Sequence, residues 1–122
     1  EDGIRDSVAS RGLGDVYKRQ VACGGSALNS TTATCAPNGA TVDLTDCSWD
    51  TTAGASDLKV RWTDPDFDPA EDAFYYARVV QNPTCRWTTY DSLRLGLTPL
   101  ADSHATVTEM AWGSPVWVKT KP

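Results

Sequence analysis

The clearest pattern in the chain is the alternation of Leu58, Lys59, Val60, Arg61 and Trp62. An extended strand here puts three apolar side chains on one face and two cations on the other. Val42 and Leu44 alternate with polar neighbours over 41–45, so a short half-buried strand is expected there as well. The run from Phe74 to Asn82 is aromatic and β-branched on both faces and is broken only by Arg78. It reads as a central strand covered on each side and ended by Pro83. Over 88–96 the period changes: Tyr90, Leu93 and Leu97 stand at helical spacing, and Gly96 supplies a stop, which predicts one or two helical turns. The tail 106–119 carries strand-like apolar segments on either side of Pro115. Residues 21–40 are small, polar and punctuated by Gly, Asn and Pro, so they predict loop, and 50–57 is rich in turn formers. Pro65 and Pro69 remove ladder donors from 63–73 and bias Asp64 and Asp68 away from helix. These elements predict a mainly β fold: a partial β-sandwich-like C-terminal region with long loops, at most one short helix, and three or four mostly antiparallel strands.

Residues 1–20 follow neither period. Asp15 to Gln20 back-translate as GAT GTG TAT AAG AGA CAG, which resembles the transposase mosaic end used in sequencing libraries. Glu1 to Asp6 allow the tail of a flow-cell adapter and Ser10 to Gly14 the usual linker, leaving Ser7 to Ala9 for a sample index. Three such pieces in one frame and in library order mark 1–20 as a translated adapter segment that is expected to be disordered. The natural chain is then expected to start at Val21, as a fragment of a longer protein. Three regions follow: the adapter-derived 1–20, a loop-rich and disulfide-closed 21–39, and a β-rich domain fragment over 40–122.

Composition narrows the picture. The adapter-like segment carries four acids and four bases, so the formal net charge of −5 belongs to residues 21–122. A mildly acidic unit excludes nucleic acid and anionic membrane as partners, because phosphate neutralisation needs clustered Lys and Arg. No apolar run approaches the roughly 20 residues that span a bilayer. Leu, Val and Phe number only 17 in residues 21–122 and Ile is absent, so the core is thin. Five Trp, three Tyr and disulfides have to make up the difference.

Cys23, Cys35, Cys47 and Cys85 are spaced 12, 12 and 38 apart with no C-x-x-C, and His104 is the only imidazole. That spacing lacks the paired knuckles of structural zinc sites and favours disulfides, which imply a periplasmic or extracellular location. Three pairings can be drawn; local loop closure favours Cys23 with Cys35, leaving Cys47 with Cys85.

Candidate chemistry is sparse. Asp64, Asp66 and Asp68 in Asp-Pro-Asp-Phe-Asp-Pro could wrap a cation with oxygen ligands, or could be a rigid turn whose carboxylates accept backbone N–H bonds. An EF-hand match fails, since Pro69 stands where Gly is needed. Arg78, inside the most apolar strand, needs a partner, and a carboxylate of that acidic loop is the natural one for an ion pair. The alternative gives Arg78 or Arg86 an anionic ligand. Trp49, Trp62, Trp87, Trp112 and Trp117 could make a sugar-stacking platform, but in so small a unit they read as core. No nucleophile and base pair up, so no catalytic residue is assigned.

Trp62 to Pro69, Phe74 to Val79, Pro83 to Trp87, Tyr90, Asp91, Arg94, Ala111, Trp112 and Ser114 to Trp117 resemble the C-terminal part of domain-of-unknown-function family 3604. These are large secreted bacterial proteins, and the likeness spans nearly all of 40–118. The resemblance implies an upstream metal-dependent hydrolase domain acting on phosphoester-like substrates, with divalent metals held by His and Asp clusters. None of those ligand motifs occurs here, so the expected cofactor set of this fragment is empty and its expected partner is that upstream domain. One departure, Lys59 where relatives with several cysteines place another Cys, bears on the Cys47–Cys85 pairing. The competing expectations are an independent carbohydrate-binding module and a disulfide-stapled interaction module.

Overall fold

Nine residues from Ala73 to Gln81 form the strand on which the main sheet is built. The structure is a computed structural model that describes the backbone of residues 4–12 and 17–120, with side chains from Lys18 onward. In chain order the strands are β1 (Ile4–Gly12), β2 (Tyr17–Cys23), β3 (Leu28–Asn29), β4 (Thr34–Cys35), β5 (Ala73–Gln81), β6 (Thr84–Cys85), β7 (Thr106–Val107), β8 (Met110–Trp112) and β9 (Val116–Val118). One helix, α1 (Trp87–Leu95), lies between β6 and β7. The mainly β prediction with a single short helix holds. The main sheet runs β2-β1-β5-β8, with β9 also paired to β5, and every pairing is antiparallel. Two ribbons, β3-β4 and β6-β7, complete the described sheets.

β5 confirms the central strand read from its two-sided apolar pattern. β1 takes one edge from Gln81 to Phe74, while β8 and β9 share the other. β8 covers Arg78 to Val80 and β9 covers Ala73 to Tyr75, so Tyr76 and Ala77 fall between them. The connecting Gly113 closes part of that gap by donating its N–H to the Ala77 carbonyl at 2.8 Å.

Three local expectations are corrected. Residues 4–12 and 17–20, for which disorder is expected, are strand, and Val21 to Cys23, expected as loop, extend β2. The physical reason is that an antiparallel ladder is made by backbone groups, so an extended segment of almost any sequence can satisfy the long free edge of β5. Residues 41–45 form a tight loop with one bridge, Val42 to Trp49, because Asp43 turns the chain by accepting the Thr45 N–H at 2.8 Å. Residues 58–62 join no sheet, since both edges of β5 are already taken. Their alternation survives only in part: Leu58 and Trp62 are half-buried, while Val60 is 51% exposed.

α1 matches its predicted stop. Gly96 adopts φ 63° and ψ 31°, a left-handed conformation that Gly reaches without Cβ strain, and its N–H reaches the Ser92 carbonyl. The helix is moored by polar contact more than by apolar burial. Buried Thr89 donates to the Ala105 carbonyl at 2.7 Å, whereas Leu93 and Leu97 remain exposed.

The core is thin, as composition implies. Its buried apolar residues are Cys47, Ala73, Val80 and Cys85. Both favoured disulfides are present, Cys23–Cys35 and Cys47–Cys85. Next to the second, buried Asn82 ties two loops to the end of β5: its amide donates to the Ala53 carbonyl at 2.9 Å, and its oxygen accepts from Asn38 at 2.8 Å. The reading of the tryptophans as core is corrected, because Trp87, Trp112 and Trp117 are 70%, 60% and 56% exposed. They sit on elements whose outer face no other described segment covers.

Asp72 fastens the C-terminal end of β9. It accepts from Lys119 Nζ at 2.7 Å and from the Thr120 N–H at 2.8 Å. The Lys119 hydrogen bond, then that of Thr120, lowers its pKa to about 2.

Two predictions follow from these anchors. Replacing Cys47 and Cys85 by Ser lowers the urea unfolding free energy by about 4 kcal/mol, against about 3 kcal/mol for Cys23 and Cys35, since the first loop is longer. Equal losses in the two double variants would contradict this. Asp72 has a folded pKa below its unfolded value, so its contribution is complete above about pH 4 and is lost as pH falls toward about 2. Amide exchange at Val118 therefore accelerates across that window, and the acceleration disappears in Asp72→Asn.

Candidate functional site

Because side chains alternate along β5, its two faces meet different surroundings. Tyr75 and Ala77 face one side, and Phe74, Tyr76 and Arg78 the other. On the Tyr75 face an open groove of about 790 Å³ runs over the gap between β8 and β9. Ala77 and Gly113 form its floor, and Trp62, Phe67, Tyr75 and Val116 its walls. The segment 58–62, which fails to pair as a strand, instead lies across the sheet and delivers Trp62. The indole meets the Tyr75 ring edge-on, with centroids 6.2 Å apart and planes at 62°.

One carboxylate stands in the groove wall. Tyr75 Oη donates to Asp64 Oδ2 at 2.8 Å, while Asp64 Oδ1 accepts the Asp66 N–H at 3.0 Å. The acidic loop thus acts as the rigid turn that was one of its two readings. Asp68 likewise accepts the Ala70 N–H at 2.8 Å. The cation-site reading of Asp64, Asp66 and Asp68 finds no geometric support: Asp64 and Asp68 each accept a backbone N–H two residues ahead, and the Asp66 carboxylate faces the Arg19 guanidinium. Among the described residues no group of three or more His, Cys, Asp and Glu could hold a metal ion. All four cysteines are in disulfides and His104 is exposed.

Arg78 corrects the second site expectation. It forms no ion pair with the acidic loop; the guanidinium found there is that of Arg19, 3.5 Å from Asp66. The physical reason is alternation: the loop packs over the Tyr75 face, and Arg78 points to the other. There it is opposite Trp112 in register, and its buried Nε has no hydrogen-bond partner. Along the same face Trp117 packs on Phe74 at 5.0 Å and Phe74 lies beside Tyr76 at 6.2 Å, giving an exposed aromatic stripe.

The family model described as "Protein of unknown function (DUF3604)" matches residues 10–120. The chain belongs to the DUF3604 family. No curated protein and no solved structure matches it. The divalent metals that the DUF3604 resemblance implies do not fit the donors described here, so no reaction step is derived through them. What DUF3604 supplies in this chain is a sheet with an apolar groove on one face and an aromatic stripe on the other. The floor residues Ala77 and Gly113 carry no sequence signal, being small and unpatterned. Phe67 does: it is a lone aromatic in an acidic, Pro-bounded loop. Asn82 was legible only as the last residue before Pro83.

Because Arg78 Nε is buried without a partner, Arg78→Met keeps the aliphatic stem and removes an unsatisfied group. Its unfolding free energy in urea stays within about 0.5 kcal/mol of the parent or rises. A loss above about 3 kcal/mol would show that a partnered charge had been broken.

Proposed function

We propose that this DUF3604 chain is the non-catalytic, β-rich C-terminal unit of a secreted bacterial metal-dependent hydrolase of phosphoester type, and that it packs against an upstream catalytic domain of the same protein. The observation that carries this reading is the mismatch between interior and surface. Few apolar residues are buried, while Met110, Trp112 and Trp117 lie exposed on neighbouring strands of one sheet. A contiguous apolar surface of this kind marks an interaction site more often than free solvent contact. Two disulfides fit an oxidising compartment. Among the described residues no helix is long and apolar enough to cross a membrane.

In this reading residues 1–20 are adapter-derived, and the edge of β5 that β1 covers is taken in the natural protein by another strand. Long-read sequencing of the source DNA across the codon 20/21 junction tests the first point. The expected result is that the 20 codons vanish and a His- and Asp-rich domain precedes Val21 in frame. If the 20 codons are present in the genome, the hairpin of β1 and β2 is native and the fragment reading falls.

A further inference from the structure

We propose that Asn38 is a site of self-modification: its side-chain amide is lost to ring closure by the Gly39 backbone nitrogen, and the residue becomes aspartate or isoaspartate. The chain has three asparagines, and the residues that follow them differ in what their backbone nitrogen can do. Pro83 follows Asn82 and carries no N–H to give up. Ser30 follows Asn29, and its side chain crowds the approach of its nitrogen to the amide carbon. Gly39 follows Asn38 and has no side chain to stand in the way.

The local structure leaves that nitrogen available. Gly39 is exposed, and none of the described groups accepts its N–H. A Cβ placed on it would meet nothing within 4 Å, so the peptide plane has room to turn during ring closure. The Asn38 amide is held at both ends. The Ala40 N–H donates to its Oδ1 at 3.2 Å, and its Nδ2 donates to Asn82 Oδ1 at 2.8 Å. A donor on Oδ1 stabilises the negative charge that develops there as the Gly39 nitrogen attacks. An acceptor beside Nδ2 favours positive charge on the departing nitrogen.

The reaction needs only water. The Gly39 nitrogen gives up its proton and bonds to Asn38 Cγ, the Cγ–Nδ2 bond breaks, and the side-chain nitrogen leaves as ammonia with that proton. Water then opens the cyclic imide. Cleavage between Cγ and the Gly39 nitrogen leaves aspartate in an ordinary backbone. Cleavage between the main-chain carbonyl carbon of residue 38 and that nitrogen leaves isoaspartate, with the chain routed through Cγ.

The consequence is carried by Asn82. That side chain is buried, and its amide nitrogen is committed to the Ala53 carbonyl at 2.9 Å. It cannot turn its NH2 toward residue 38 without giving up that bond. A carboxylate at 38 therefore sets two acceptors against each other and leaves a buried oxygen without its donor. Modification releases the chain around residue 38 from the end of β5, while the Cys47–Cys85 bond stays closed.

This inference does not depend on the proposed packing against an upstream domain. The experiment warms the full 122-residue chain in mildly alkaline buffer beside a synthetic peptide of residues 36–45. Both are followed by peptide mapping with mass spectrometry and by isoaspartate methyltransferase labelling. Residue 38 is expected to convert in the folded chain at a rate within about tenfold of the peptide, while Asn29 and Asn82 stay intact. Gly39→Ala slows the conversion in both by about tenfold or more. In the aged chain and in fresh Asn38→Asp, amide exchange at Asp50, whose N–H donates to the Thr41 carbonyl, accelerates severalfold. Should Asn38→Asp fail to fold, the aged chain gives the same reading. A folded chain that stays intact at 38 while the peptide converts, faster conversion at Asn29 than at Asn38, or unchanged exchange at Asp50 after conversion would each overturn the assignment.

Discussion

Everything in this fold depends on the obligation of β5 to satisfy two edges. A nine-residue strand buried near its ends at Ala73 and Val80 cannot leave its N–H and C=O groups unpaired. One edge is met by a single long strand, and the other by two three-residue strands with a gap between them. That gap is the origin of the groove.

The segment between β4 and β5 has no sheet of its own, so its shape must come from elsewhere. Local carboxylates do much of this: Asp43, Asp50, Asp64 and Asp68 each accept a backbone N–H two residues ahead. For Asp43 and Asp50 the Thr hydroxyl two residues on adds a second bond, and together these hold both carboxyl pKa values below the ordinary range. Such turns fix curvature but not position. Position comes from Asn82 and from the Cys47–Cys85 bond, which pin two points of the long loop to the end of β5. Cys47 sits at φ 61°, an uncommon conformation for a residue with a Cβ.

What the sequence disclosed follows the physics of each signal. β5, α1 and the stop at Gly96 were legible because their patterns are long or rest on one residue with a unique backbone need. The cysteine pairing was legible because short-loop closure dominates when only four cysteines compete. The alternation over 58–62 misled, because period two reports which way side chains face and says nothing about whether a free edge exists to pair with. Arg78 was misassigned for the opposite reason. Its need for a partner was read from its place inside an apolar strand, while the parity that places it on the far face from Asp64 was left out. The strands of 4–12 and 17–20 were invisible, since backbone pairing leaves no mark on side-chain pattern.

The parity of β5 also explains how one strand can serve two purposes. Tyr75 and Tyr76 are neighbours in sequence, yet the first packs against Trp62 and steadies Asp64, while the second joins Phe74 in the aromatic stripe. On the first face the acidic loop and 58–62 supply a wall, so apolar rings there flank a cleft of defined shape. On the second no described segment lies over Trp112 and Trp117, so their rings form a surface, not a cleft. A small ligand gains from enclosure on several sides, whereas a folded partner gains from broad contact area. The division of the sheet into a walled face and a bare face therefore gives its two sides different surroundings, with β5 as the element shared by both.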